Sequence, residues 1–123
     1  MVNPPHIYSL AVHGDRLAVA LGSGHILTYS LSSDMPIVSY KQPIWTVEAH
    51  LSRVVQVTWP SFSPGDLLIS VGNEPNLAVW RDGEMARRVQ LPEKVNWMAS
   101  AAHAPRVYLA TVSSEIAVLT FPD

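Results

Sequence analysis

The chain has 123 residues, a length that fits one domain of ordinary size. Hydrophobic residues make up 48% of it and charged residues only 15%, below the usual quarter, so part of the surface is expected to be covered by a partner. The net charge of −2 and the lack of any acidic or basic block argue against binding to nucleic acid or a membrane surface by charge attraction.

The sequence contains no cysteine, and we expect its first residues not to be a signal peptide. Without cysteine, disulfides and thiolate zinc sites are excluded. The beginning, "MVNPPHIYSL", has no basic segment followed by an apolar stretch, and no apolar run is long enough to cross a bilayer. We therefore expect an intracellular protein, either cytoplasmic or nuclear.

Short runs rich in Val, Ile, Leu and Tyr predict β-strands along the chain, while prolines and glycines disfavour helices. The first three runs are "IYSLAV", "RLAVAL" and "HILTYS". The middle of the chain repeats this order with "VVQVTW", "LLISV" and "LAVW", and the last part repeats it with "VNWMAS", "RVYLAT" and "EIAVLT". Turns are expected near Gly14 and in residues 22–24, 60–66, 73–76 and 103–105.

The three groups of strands align as an internal repeat. Second and third strands match at separations of 51 and 39 residues, as the following sets show: Leu17, Leu68 and Val107; Ile26, Leu77 and Ile116; Tyr29, Trp80 and Leu119. Fourth strands are predicted in residues 32–48 and 85–91, but none follows the last "EIAVLT". The predicted units cover residues 6–48, 49–91 and 92–123.

A unit of about forty residues with four antiparallel strands is typical of a β-propeller blade. The middle unit resembles the WD-repeat family: Ala49 and His50 stand at its Gly-His position, "SFSPGDLLIS" resembles its turn, and "LAVW" ends where its Trp-Asp pair lies. Here the order is Trp80-Arg81-Asp82 instead. The resemblance implies an all-β fold, a partial WD-repeat β-propeller of about three antiparallel blades, with the last one incomplete.

The resemblance also implies a buried polar chain of structural importance. His50, Ser70 and Trp80 match it, and Asn73 or Glu74 stands at the acid position, with Asn73 taken as the fourth member. Such a chain satisfies buried donors and fixes turns, and is not a catalytic site.

Chemical sites have little support in the sequence. The five histidines lack the spacing of metal ligands, and "LGSGH" lacks the rest of a nucleophile or phosphate motif. No metal, cofactor or catalytic residue is expected, and the chain is predicted not to be an enzyme. Trp45 and Trp97 are more often core residues than a binding platform, and Arg87-Arg88 is more often a solvated strand edge.

The predicted function is that of a protein–protein interaction scaffold that displays loops to a protein partner. The resemblance places the loops before first strands and between second and third strands on one face. Arg53, Glu74 and Lys94 are the predicted partner contacts. One alternative is an autonomous small β-barrel or sandwich that binds a small ligand. A weaker one is the substrate-receptor part of a cullin-type ubiquitin ligase, although the Trp-Asp-x-Arg pattern of such receptors is not present.

Three units are too few to close a propeller, which has about four to eight blades. The prolines of "MVNPP" cannot donate ladder hydrogen bonds, so this segment offers no substitute for the missing fourth strand. The first and last units are therefore expected to expose apolar surface. Either further blades belong to the protein or the chain self-associates through these open edges.

Overall fold

The computed structural model describes residues 6–31, 43–51, 53–60, 67–101 and 104–121, and these contain strands but no helix. The strands are β1 (Ile7–His13), β2 (Arg16–Leu21), β3 (His25–Ser30), β4 (Trp45–Glu48), β5 (Val54–Thr58), β6 (Leu68–Gly72), β7 (Asn76–Arg81), β8 (Glu84–Gln90), β9 (Val95–Ser100), β10 (Arg106–Thr111) and β11 (Ile116–Thr120).

The strands form three separate antiparallel sheets, each a meander in sequence order. The first sheet contains β1 to β4, the second β5 to β8, and the third β9 to β11. In the part of the chain that the structure describes, none of the sheets closes on itself. A small closed barrel, one alternative from the sequence, is therefore wrong. Within the described residues, β11 forms the edge of the third sheet, as predicted.

The cross-strand register confirms the internal repeat. Leu17 pairs with Tyr29 and Leu68 pairs with Trp80, and the third sheet has the same pair between Val107 and Leu119. Each first strand also carries a register shift near its beginning, at the same place relative to the second strand. Such a bulge bends and twists the strand that carries it. The repeat in the sequence is thus a repeat in pairing.

Turn residues account for most of the chain reversals. Gly14 adopts a φ of 58° between β1 and β2, a conformation that glycine reaches without a Cβ penalty. Asp82 and Gly83 both have positive φ in the two-residue turn between β7 and β8, a reversal that was not among the predicted turns. The turns predicted at 22–24 and 73–76 are present. Residues 61–66 and 103 lie outside the described part of the chain, as does most of the first predicted fourth-strand region.

Adjacent sheets contact each other through their first strands. The Val57 N–H donates to Ser9 Oγ (3.2 Å), and the Trp59 indole N–H donates to the Ala11 carbonyl (3.1 Å), so β1 and β5 run in the same direction. Between the second and third sheets, the amide of Gln56 holds the main chain of β9. Its nitrogen donates to the Met98 carbonyl (3.0 Å) and its oxygen accepts from the Met98 N–H (2.8 Å).

Two apolar clusters fill the spaces between successive sheets. Between the first and second sheets lie Ala18, Ala20, Ile26, Ala49, Val54, Val57, Leu68, Ala78 and Trp80. Between the second and third lie Ile69, Val71, Leu77, Val79, Leu91, Val95, Met98, Val107, Leu109 and Phe121. The second sheet is therefore covered on both faces, which explains why β6 is buried along its whole length.

The two tryptophans expected in the core, Trp45 and Trp97, lie in different environments. Trp97, expected in the core, is largely exposed on the third sheet. Its neighbour Met98 faces inward instead, because side chains alternate between the faces of a strand. Trp45 is half-buried against the first cluster and packs over Gly83, within 3.0–3.3 Å of where a Cβ would stand.

Candidate interaction face

One end of the three sheets carries loops of the same type, and we call this end the loop face. It consists of residues 22–24, 73–75 and 112–114, which follow second strands, and of His6, Arg53 and Lys94, which precede first strands. The same main-chain bond joins the two parts in each sheet. Gly22 donates to His6 (2.8 Å), Asn73 to Arg53 (3.0 Å) and Val112 to Lys94 (3.1 Å). The same main-chain hydrogen bond therefore fixes the backbone of the loop face in each of the three sheets.

The predicted partner contacts Arg53, Glu74 and Lys94 all lie on the loop face, one beside each of three different loops or strand beginnings. Arg53 is exposed, with its guanidinium 5.1 Å from the centre of the Tyr8 ring. It also donates to Asn73 Oδ1 at 3.4 Å. Lys94 is exposed beside the third sheet. Glu74 is turned inward, where Oε1 accepts from the Leu51 N–H (3.1 Å) and lies 3.0 Å from His50 Nδ1.

A buried polar chain lies under the loop face in the second sheet. The Trp80 indole N–H donates to Ser70 Oγ (2.9 Å), and Ser70 Oγ is 2.9 Å from His50 Nε2. His50 Nδ1 lies 3.0 Å from both Glu74 Oε1 and Asn76 Oδ1. His50, Ser70 and Trp80 therefore come together, and they connect the loop before β5 to strands β6 and β7.

The direction of each hydrogen bond follows from the chemistry of the groups. An indole N–H can only donate, so Ser70 Oγ accepts from Trp80. Because His50 Nδ1 faces two acceptor oxygens, Nε2 is left to accept the hydrogen of the Ser70 hydroxyl. The proton of the neutral His50 ring then lies on Nδ1, where Glu74 and Asn76 accept it. Burial lowers the pKa of His50 below its usual 6.5, and Arg88 contributes in the same direction, although the Glu74 carboxylate and the hydrogen bonds oppose them.

Asn73 is not part of this polar chain, and its assignment to the acid position needs correction. Its main-chain N–H and side-chain oxygen are both bonded to Arg53, at the start of β5. Glu74 and Asn76 are the residues that reach His50 instead, because they lie one residue and three residues further along the turn.

Three members of the site were missed by sequence reasoning. Asn76 and Arg88 extend the polar chain to the fourth strand: Arg88 donates to Asn76 Oδ1 (2.8 Å) and to the Ala49 carbonyl (2.7 Å). Arg88 is therefore more than a solvated edge residue, whereas Arg87 lies 5.9 Å from the Phe121 ring centre. Gly72 leaves the space for the His50 ring, since a Cβ there would stand 2.5 Å from Nδ1. The glycine that follows "LLISV" in the sequence is the signal that could have indicated this close approach of a side chain to the backbone.

A depression of about 310 Å³ opens beside the buried polar chain. Its lining includes Glu48, His50, Glu74, Asn76 and Arg88. The last four are linked by hydrogen bonds: His50 contacts Glu74 and Asn76, and Asn76 accepts from Arg88. In the described residues, no group of His, Asp and Glu is arranged to hold a metal ion. Nor does this part of the chain contain a helix able to span a membrane.

Comparison with known proteins links this geometry to β-propellers. No family model matches the chain. The protein transport protein SEC31 of Pyricularia oryzae is 29% identical over 109 residues, covering 79% of this chain and 8% of that protein. A chain of the mitotic checkpoint complex superimposes with a TM-score of 0.78 at 16% identity, and Sqt1 of Saccharomyces cerevisiae with 0.77 at 11%. Each covers 94% of this chain, which spans 37% and 32% of their lengths.

These similarities confirm the predicted fold class. The chain is all-β, with the fold of a partial WD-repeat β-propeller made of three antiparallel sheets with four, four and three strands. The chain spans less than two-fifths of each of the proteins that it matches.

Proposed function

We propose that the chain is a non-enzymatic interaction scaffold of the WD-repeat type that binds a protein partner on its loop face. The observation that carries the proposal is the repeated main-chain bond between residues 6 and 22, 53 and 73, and 94 and 112. It holds three loops in one arrangement, and rigid loops bind a partner with a smaller loss of conformational entropy than mobile ones.

The buried polar chain has a structural role in this proposal. His50 connects the loop before β5 to Glu74 in the next loop and to Ser70 in the sheet below. These bonds fix the loop face against the core. A catalytic role for His50 is disfavoured, since both of its ring nitrogens are engaged by other side chains.

The comparisons support a protein partner in general terms. One solved neighbour is a chain of the mitotic checkpoint complex, and one relative similar in sequence is a protein transport protein. Nothing finer about the partner or the pathway follows from these names. We infer the partner's character from the loop face, where Arg53 and Lys94 present two exposed cations. An acidic segment is the complementary partner.

Glu74 has a smaller part in this function than Arg53 and Lys94. Its carboxylate accepts hydrogen bonds from the Leu51 main chain and from His50, so a partner would compete with these bonds. The substrate-receptor role in a cullin-type ligase stays a weaker proposal, because Arg81 follows Trp80 where the Asp of the receptor pattern belongs.

A narrower resemblance concerns the last unit. The stretch "LPEKVNWMASAAHAPRVYLATVSSEIAVLTFPD" is similar to the C-terminal part of WD repeat-containing protein 53, most distinctively in "EKVNW". We propose this similarity as a guide in the choice of candidate partners. The proposed setting for the interaction is the cytoplasm or the nucleus.

Charge reversal on the loop face tests the function. Affinity capture of the tagged chain from cells, followed by quantitative mass spectrometry, would compare the wild type with the double variant Arg53→Glu and Lys94→Glu. Arg106→Glu is the matched control, since this exposed arginine begins β10 at the opposite end of the third sheet. We expect the double variant to lose specific partners that the control retains. Equal recovery in all three proteins, or an equal loss in the control, would contradict the proposal.

A further inference from the structure

The outer face of the third sheet is equivalent to two faces that are buried elsewhere in the molecule. Ile26, Leu77 and Ile116 occupy the same place, because they pair with Ala20, Val71 and Ala110 at the same separations in the repeat. Ile26 and Leu77 are completely buried by the sheet that follows theirs, whereas Ile116 is 75% exposed. The apolar residue is retained at the position where no neighbouring sheet covers it.

Trp97 shows the same relationship in the first strands. By its pairing with the second strand, Trp97 is equivalent to Ser9 and Gln56. Ser9 and Gln56 both bond to the first strand of the next sheet, at Val57 and Met98. Trp97 is 64% exposed and points away from the second sheet. Trp97 therefore lies at the position through which the first and second sheets each contact the next sheet along the chain.

Together these residues form a continuous apolar face, which we call the Trp97 face. A depression of about 170 Å³ on it is lined by Trp97, Ala99, Tyr108, Leu109, Ala110 and Ile116. Val118 adds a further exposed aliphatic side chain. A face of this kind on a sheet requires a partner, since exposed apolar sheets aggregate otherwise.

The first sheet exposes the complementary half of such an interface. Leu10 occupies the same register position as Val57 in the second sheet and Met98 in the third. Val57 is covered by the first sheet and Met98 by the second, which leaves them only 3% and 2% exposed. Leu10 is 60% exposed, and Val12 beside it on the same face is also exposed. We call this surface the Leu10 face. The two interfaces inside the chain each join one surface of the Trp97 type to one of the Leu10 type.

We propose that the Trp97 face of one chain packs on the Leu10 face of a second copy. The contact continues the stacking that joins the sheets within each chain, with the first strand of the second copy on Trp97. Trp97 stands at the register position from which Gln56 donates to the Met98 carbonyl of the next sheet, and the equivalent carbonyl in the second copy is that of Leu10.

The two faces differ, so the association is head to tail and not a symmetric pairing of identical patches. Two copies supply six sheets, a number within the range of about four to eight that closed propellers use. Closure then buries both faces of both chains. This inference does not depend on the loop face, so the two proposals can fail separately.

The test uses the full chain and two single variants, Trp97→Arg and Leu10→Arg, at micromolar concentration. Leu51→Arg is the control, because Leu51 is an exposed leucine outside both faces. Analytical ultracentrifugation should show the wild type and the control at twice the chain mass of 13.5 kDa. Each variant alone should sediment as a monomer. Circular dichroism checks that the variants retain their sheets.

Mixing the two variants distinguishes head-to-tail pairing from other modes. Trp97→Arg retains an intact Leu10 face, and Leu10→Arg retains an intact Trp97 face, so the mixture should recover a two-chain species. A monomeric wild type would overturn the proposal and assign both faces to other partners. A mixture that stays monomeric, or a Leu10→Arg variant that still dimerises alone, would also overturn it.

Discussion

The indole nitrogen of Trp80 lies 2.9 Å from the hydroxyl oxygen of Ser70, on the neighbouring strand of the second sheet. Both side chains are buried, and the Trp80 ring belongs to the cluster between the first and second sheets. One residue therefore serves the apolar contact between two sheets and the polar chain beneath the loop face.

Replacing Trp80 separates these two roles. Trp80→Ala removes the ring and should lower the free energy of unfolding by about 3–5 kcal/mol, as for other buried aromatic side chains. Trp80→Phe retains most of the ring but leaves Ser70 without its donor, at a smaller cost of about 1–3 kcal/mol. Urea unfolding measures both. Equal losses in the two variants would contradict the division between packing and hydrogen bonding.

Gly72 should be intolerant of even one methyl group. A Cβ at this position would stand 2.5 Å from His50 Nδ1 and 2.9 Å from Glu74 Oε1, so Gly72→Ala should cost about 1–3 kcal/mol of stability. The same substitution in a His50→Ala background should cost much less, since the obstructing ring is gone. A double-mutant cycle by urea unfolding measures this coupling. Additive losses would show that His50 does not occupy this space.

Stability should depend on pH through His50. Its pKa is lowered in the folded protein, so the unfolded chain binds a proton more readily below the usual pKa of 6.5. The contribution of neutral His50 is therefore fully present above 6.5 and is lost as the pH falls towards the folded pKa. His50→Gln should weaken the slope of unfolding free energy against pH below about pH 6.5, where the unfolded chain takes up the proton that folded His50 resists. Identical slopes in the two proteins would contradict the assigned neutral ring.

Gln56 should be important for the contact between the second and third sheets. Gln56→Leu retains the size of the side chain but leaves the buried N–H and carbonyl of Met98 without their partners, at about 1–3 kcal/mol for each group. Gln90→Leu is the matched control on exposed strand β8. Thermal unfolding should show a clear loss for Gln56→Leu and little change for the control. Similar melting curves would show that the two hydrogen bonds contribute little.

Much of the fold could be predicted because the repeat is recorded in apolar residues at constant separations. Leu17, Leu68 and Val107 align in the sequence and then occupy the same register position in three sheets. Strand alternation and turn residues are local signals, so the bounds of β2, β3, β9 and β10 agree with the predicted runs.

The contacts between sheets were less accessible to sequence reasoning. Gln56 has no local feature that distinguishes a buried amide from a surface one, and its partner Met98 is distant in sequence. The same holds for Arg88, whose bonds to Asn76 and Ala49 depend on the pairing of β7 with β8 and on the loop before β5. Trp97 was misplaced because a one-residue shift in register exchanges the two faces of a strand.

Amide hydrogen exchange at Val57 and Met98 tests most directly whether the three sheets stack through their first strands. Their N–H groups donate to side chains of the preceding sheet, Ser9 and Gln56, and both residues are buried. Stacking predicts slow exchange at both amides, with Ser9→Ala accelerating exchange at Val57 and Gln56→Leu accelerating it at Met98. Exchange at both amides as fast as in exposed loops, unchanged by either substitution, would contradict the stacked arrangement.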